Sequence, residues 1–157
     1  MARFPPSADL KLASPLGAGD LPAYRYVPGR TPHPFRDPRG HSYRGGQPPE
    51  PAALGQGPLG EHPAFLRGLG LMEAGYHWEA HEIWEGLWHQ LPRQSRQAAL
   101  LQGLIQLAAA RLKHEMGHHR AARSLMQAAA PRLRQDHPEL EAELLWQQGW
   151  AEISAGG

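Results

Sequence analysis

Thirteen of the sixteen prolines in this 157-residue chain lie at or before Pro63. Proline fixes φ and lacks an amide hydrogen, so such a density forbids long helices and favours turns and polyproline II. After Pro63 the composition shifts to Ala, Leu, Gln, Glu and Arg, all good helix formers. The chain therefore reads as a Pro/Gly-rich N-terminal arm and linker over residues 1–60, followed by an α-helical domain over residues 61–157. A stretch of about 95 residues can bury one modest core. The expected fold is all-α: a compact bundle of four to five helices carrying a long arm.

The helix boundaries follow from punctuation and periodicity. A first helix is expected from Pro63, a good first-turn proline, to about residue 74, with Phe65, Leu66, Leu69 and Met72 inward. Gly75 turns the chain into a second helix, about 76–90, closed by Pro92. The third, about 95–116, is apolar nearly all round and should be the most buried. Gly117 ends it, and a fourth helix runs from about 118 to 130, stopping before Pro131. A last helix should begin at Asp136, with Glu139 completing a capping box and Leu140, Leu144 and Leu145, with Trp146 or Trp150, on its buried side. The small-residue pair around Gly117 has the look of one tetratricopeptide-type hairpin, but only one such unit is present, which excludes an array.

The chemistry is concentrated in the second helix, Tyr76-His77-Trp78-Glu79-Ala80-His81-Glu82-Ile83-Trp84-Glu85-Gly86-Leu87-Trp88. At about 100° per residue, Tyr76, Ala80, Ile83, Trp84, Leu87 and Trp88 share one apolar arc. His81 and Glu85, four apart, lie at its edge beside Trp84 and Trp88. An imidazole and a carboxylate against indoles must be paired, coordinated or shifted in pKa. On the third helix Gln102 and Gln106 form a polar stripe, and Gly103 beside them lets a neighbour approach closely. With the second helix as that neighbour, the two amides would meet His81, Glu82 or Glu85 in a buried network.

Three uses of this cluster stay open. The network can simply fix helix register. The His81/Glu85 spacing can grip one divalent metal, as on a zincin helix, although the second histidine of that motif is replaced by Glu85 and a third and fourth ligand must come from elsewhere. Glu82, His114, or His33, Asp37 and His41 of a folded arm are the candidates. A histidine beside a carboxylate in an apolar pocket is also how general bases are made, so His81, Glu82 and Glu85 are the catalytic candidates. Gln102, Gln106, Glu79, Trp84 and Trp88 are the candidates for a ligand-binding or polar network. His118 and His119 read as solvated, and His62 and His137, each before a proline, as boundary residues.

Composition excludes other classes. Without cysteine there is no disulfide, no thiolate catalysis and no Cys-type zinc site. A net charge of +1 supplies no global reason to bind nucleic acid or an anionic membrane. The start, Met1-Ala2-Arg3-Phe4-Pro5-Pro6, lacks a signal-peptide h-region and no segment is long enough to span a bilayer, so a cytoplasmic protein is expected. Partners left open are a second copy of the chain or another protein. In the arm, residues 45–60 read as plain linker. Residues 22–44 instead interleave Tyr24, Tyr26, Val27, Phe35 and Tyr43 with Arg25, Arg30, Arg36, Arg39 and Arg44, and such anchors suit docking on the bundle or on a partner.

The run Gly75 to Trp88, the string Leu101-Gln102-Gly103-Leu104-Ile105-Gln106 and the segment Gly117 to Ala129 resemble the bacterial and archaeal domain-of-unknown-function family 309. That family's helix carries Tyr/Phe-x-Glu-Ala-His-Glu ending in Trp, matched by Tyr76, Glu79, Ala80, His81, Glu82 and Trp88. The resemblance covers about residues 63–133 and implies a small all-α protein without implying a reaction. It also implies that His81, Glu82, Gln102 and Gln106 form a shared feature. Taken together, the leading expectation is a small helical binding or interaction module centred on this polar cluster. The alternatives are a metal-assisted or His-based hydrolase using the same residues, or a scaffold that binds a partner through its arm.

Overall fold

Helix boundaries in the computed structural model, which describes residues 21–135 and 137–139, fall where local chemistry places them. A single 3₁₀ turn, Leu59–Glu61, leads into α1, Pro63–Glu73. The His62 side chain accepts the Ala64 amide, and Pro63 occupies the first turn, where its missing N–H costs nothing. Gly75, at φ +89°, turns the chain into α2, His77–Trp88. Ser95 caps α3, Arg96–Glu115, by accepting the Ala98 amide. Gly117, at φ +82°, separates α3 from α4, His119–Leu133. Among the described residues there is no strand.

The helix α3 lies at the centre, packed against α2 on one side and α4 on the other. Leu100, Leu101 and Leu104 of α3 join Phe65, Leu71, Trp84 and Leu87 as the most deeply buried large side chains. Each such side chain contributes about 1.5–3 kcal/mol on leaving water. Gly68 explains the contact of α1 with α2, since a Cβ there would lie 2.1 Å from the Trp84 indole nitrogen. That nitrogen donates to the Phe65 carbonyl across the same contact.

One helix boundary is corrected. The helix α4 continues through Pro131 to Leu133 instead of stopping at residue 130. A helical proline costs about 3 kcal/mol. Burial of Ala129, Ala130 and Leu133, with Leu133 seated against Gly103, holds the last turn in place. His137, expected as a boundary residue before Pro138, is buried, and its Nε2 donates to the Arg132 carbonyl at 2.6 Å. The helix expected from Asp136, with Leu140, Leu144, Leu145, Trp146 and Trp150, lies outside the described residues.

The arm packs on the bundle as a chain of turns. Tyr24 donates to the Pro32 carbonyl and accepts the His41 amide, closing residues 24–41 into one unit. A Cβ at Gly40 would lie 2.3 Å from the Pro34 carbonyl, so this close backbone approach requires glycine. Val27 and Pro34 are buried. Tyr43, expected as an anchor, is exposed. Arg25 bonds the Gly75 carbonyl and pairs with Glu115 at 2.8 Å, while Arg30 bonds the Glu115 carbonyl. Both cations therefore sit at the C-terminal end of α3, where carbonyl dipoles favour them. Residues 45–60 are more than linker, because Gln90, in the turn after α2, bonds Ala52 and Leu54 and His62 bonds Ala53.

Candidate functional site

The face of α2 turned away from α3 is covered by the arm, and Glu79 is where the two meet. Glu79 Oε2 accepts the Tyr26 amide at 2.9 Å and pairs with His41 Nε2 at 2.8 Å. The two side chains are only 3% and 6% exposed. His41 Nδ1 contacts the Ser42 hydroxyl at 2.7 Å, which fixes the ring. Glu79 Oε1 is buried without a hydrogen-bond partner. Beside this latch Tyr26, His33 and Phe35 surround the Trp78 indole, with ring centroids 5.0–5.4 Å from it. Aromatic pairs at such spacings add about 0.5–1.5 kcal/mol each beyond their burial.

Half a turn onward lie His81, Glu82 and Glu85. One ligand atom from each can be chosen so that all three lie within 4.8 Å of one another. His81 Nε2 is 3.3 Å from Glu85 Oε1, and Nδ1 is 3.7 Å from Glu82 Oε1 and 3.2 Å from the Trp78 carbonyl. His81 and Glu85 are 23% and 39% exposed, so the cluster stands at the surface and not in the core. Burial holds the Glu82 carboxyl above the usual carboxylate range, opposed by His81 and Arg36 and reinforced by Glu85.

Between this face and the extended segment Pro48–Ala52 runs a cleft of about 770 Å³. Phe35, Trp78, Leu71 and Ile83 supply apolar wall, and His41, Glu79, Glu82 and Glu85 supply polar groups. The segment sits close because Gly86 has no side chain, as a Cβ there would be 2.9 Å from Pro51 Cβ.

The structure separates residues that the sequence reading grouped. Gly103 faces Arg132 and Leu133 of α4, and Gln106 accepts a bond from Arg132 at 3.4 Å. The neighbour along the glutamine stripe is thus α4 and not His81, Glu82 or Glu85; Gln102 is half-buried on the same helix. Trp84 is core, and Trp88 lies under the Arg93 guanidinium, 4.1 Å from the ring centroid. Of the arm residues considered as ligands, His33 uses Nδ1 to accept the Phe35 and Arg36 amides, and Asp37 pairs with Arg39. Only His41 reaches a carboxylate of α2. His114 instead lies against His119, Nδ1 to Nδ1 at 3.2 Å.

Sequence reasoning also passed over His77. It is buried at the start of α2, its Nδ1 has no partner, and its Nε2 is 4.0 Å from Glu115. Burial, reinforced by Arg111 and Arg25, lowers its pKa to about 3. The ring is therefore neutral near pH 7, and the Glu115 contact is not an ion pair there. Its place on the apolar arc, three residues before Ala80 and seven before Trp84, is the sequence signal that would have marked it as buried.

These features define an all-α domain whose second helix presents a His/Glu group beside a cleft. Residues 65–125 match the model of the family described as a domain of unknown function, DUF309, which supports the assignment of this part of the chain to that family. No curated protein and no solved structure matches the chain. No helix among the described residues is long and apolar enough to cross a membrane.

Proposed function

We propose that the protein is a small helical binding module whose ligand sits in the cleft between α2 and residues 48–52. The observation that carries this reading is Glu79 Oε1. Glu79 lines a cleft with aromatic sides and keeps one carboxylate oxygen buried without a partner, which suits a ligand that brings a hydrogen-bond donor. The cleft size falls within the about 300–1,000 Å³ usual for small-molecule sites. The ligand class this favours is a small molecule with a flat apolar body, to lie against Trp78 and Phe35, and a donor directed at Glu79 or Glu82.

A screen of small aromatic amines by ¹⁵N NMR tests the reading. A ligand in the cleft should shift the Trp78 indole N–H and leave that of Trp84, buried in the core, in place. Shifts confined to other parts of the molecule, or none, would refute it. The second reading, metal-assisted hydrolysis, is favoured by the grouping of His81, Glu82 and Glu85. The scaffold reading is weakened, because residues 22–44 are engaged by the bundle.

A further inference from the structure

We propose that His81 Nε2, Glu82 and Glu85 hold one divalent transition-metal ion at the edge of the cleft, with its remaining positions open to water or to a cleft ligand. The surroundings of His81 fix its tautomer. Its Nδ1 lies 3.2 Å from the Trp78 carbonyl, which can only accept, so Nδ1 carries the hydrogen. The neutral ring then presents a lone pair at Nε2, and that lone pair faces Glu85 Oε1 at 3.3 Å. Two acceptors facing each other require a proton or a cation between them. A ligating histidine whose other nitrogen donates to a backbone carbonyl is the usual arrangement in metal sites, because that bond sets both tautomer and ring orientation.

The remaining donors fit. One atom each from His81, Glu82 and Glu85 can be chosen within 4.8 Å of one another, compact enough to share an ion. One imidazole with two carboxylates suits zinc, manganese or iron more than calcium or magnesium, which take oxygen alone. A second observation lies outside the trio. Glu79, one turn before Glu82, is more than nine-tenths buried, lines the same cleft and has an unpartnered Oε1. The inference deepens the cleft reading and rests on it for the occupant of the open positions, although the three protein ligands stand independently of it.

The test uses the full-length protein, purified without a polyhistidine tag, stripped with chelator and titrated with Zn²⁺ by calorimetry and with Co²⁺ by visible absorption. One ion per chain is expected. Both H81A and E85Q should weaken binding by more than the about 10–100-fold typical of losing an outer-shell partner. Far-UV circular dichroism of both variants checks folding, and E85Q, altered at a half-exposed position, serves if H81A unfolds. The His114–His119 pair is the competing site, so H119A should leave the affinity unchanged. Absence of stoichiometric binding, or binding that H119A abolishes while H81A and E85Q retain it, would overturn the proposal. The amine screen on metal-free protein separates the two readings. Fragments that shift Trp78 in a protein that binds no metal would overturn the metal centre alone. Stoichiometric metal with no fragment binding would overturn the small-molecule reading alone.

Discussion

Acid should destabilise this protein in a way traceable to one residue, His77. The unfolded ring titrates near 6.5, while in the fold burial, with Arg111 and Arg25 adding to it, lowers the pKa to about 3. Between the two values the unfolded chain binds a proton that the folded chain refuses, so stability falls as pH falls through that window and the loss is complete only below the folded value. At pH 5 the unfolded ring is almost fully protonated and the folded ring is not. The cost relative to pH 7 is about 2 kcal/mol, from about 1.4 kcal/mol for each unit below 6.5. Because pH 5 lies well above the folded value, the unfolded pKa alone sets this figure.

The perturbation is His77→Gln, which keeps a polar side chain of similar size and removes the titration. Urea unfolding of both proteins at pH 7, 6 and 5 gives the comparison. Whatever the variant costs at pH 7, its disadvantage should shrink by about 2 kcal/mol by pH 5, since only the wild type loses the His77 contribution. Every other titrating group, including the remaining nine histidines, is common to both proteins and cancels in the difference. Curves that run parallel within about 0.5 kcal/mol would show that His77 titrates normally in the fold, and the burial argument would be refuted.

The arm should fall away when its latch is cut. Glu79→Ala leaves His41 and the Tyr26 amide unpaired, with an expected loss of about 3 kcal/mol, and a double-mutant cycle with His41→Ala should be strongly non-additive; strict additivity would mean the pair is not coupled. Gly68→Ala places a methyl on the Trp84 indole and should cost about 1–3 kcal/mol with altered Trp fluorescence, whereas a neutral variant would show that α1 and α2 can separate freely. Deleting residues 1–60 should uncover Trp78 and Ile83, lower the melting temperature and promote dye binding, and an unchanged melting temperature would show the arm adds nothing to stability.

What was legible in the sequence is what depends on neighbours a few residues away. Proline at the first turn of α1 and glycines at 75 and 117 act locally, so these helix ends can be placed without knowing the fold. Pro131 misleads for the complementary reason: its local cost is real, but Leu133 against Gly103 outweighs it, and that contact is invisible until α3 and α4 are packed. Gln102, Gly103 and Gln106 illustrate the same limit. A small-residue stripe shows that some helix approaches α3 there, and it cannot say whether α2 or α4 does so.

The site lies further from what periodicity can reveal. On a helical wheel Trp78, Glu79 and Glu82 fall outside the apolar arc of α2, and nothing in the helix itself explains an indole and a buried carboxylate on its outer face. The explanation is His41, 38 residues earlier, together with Tyr26, His33 and Phe35 from a segment that looks like irregular chain. Interleaved aromatics suited residues 22–44 to docking on the bundle or on a partner, but the docking surface is a tertiary property. The outer face of α2 is therefore best understood as half of a two-part structure. Without the arm, Glu79 would lose the Tyr26 amide and His41 from its Oε2, Trp78 would lose its ring neighbours from residues 26–35, and the cleft would lose the wall formed by Pro48 to Ala52. His81, Glu82 and Glu85 come from one short helix and would keep their spacing. The polar trio thus belongs to the matched family domain, while the cleft beside it is made jointly with the arm, outside the matched residues.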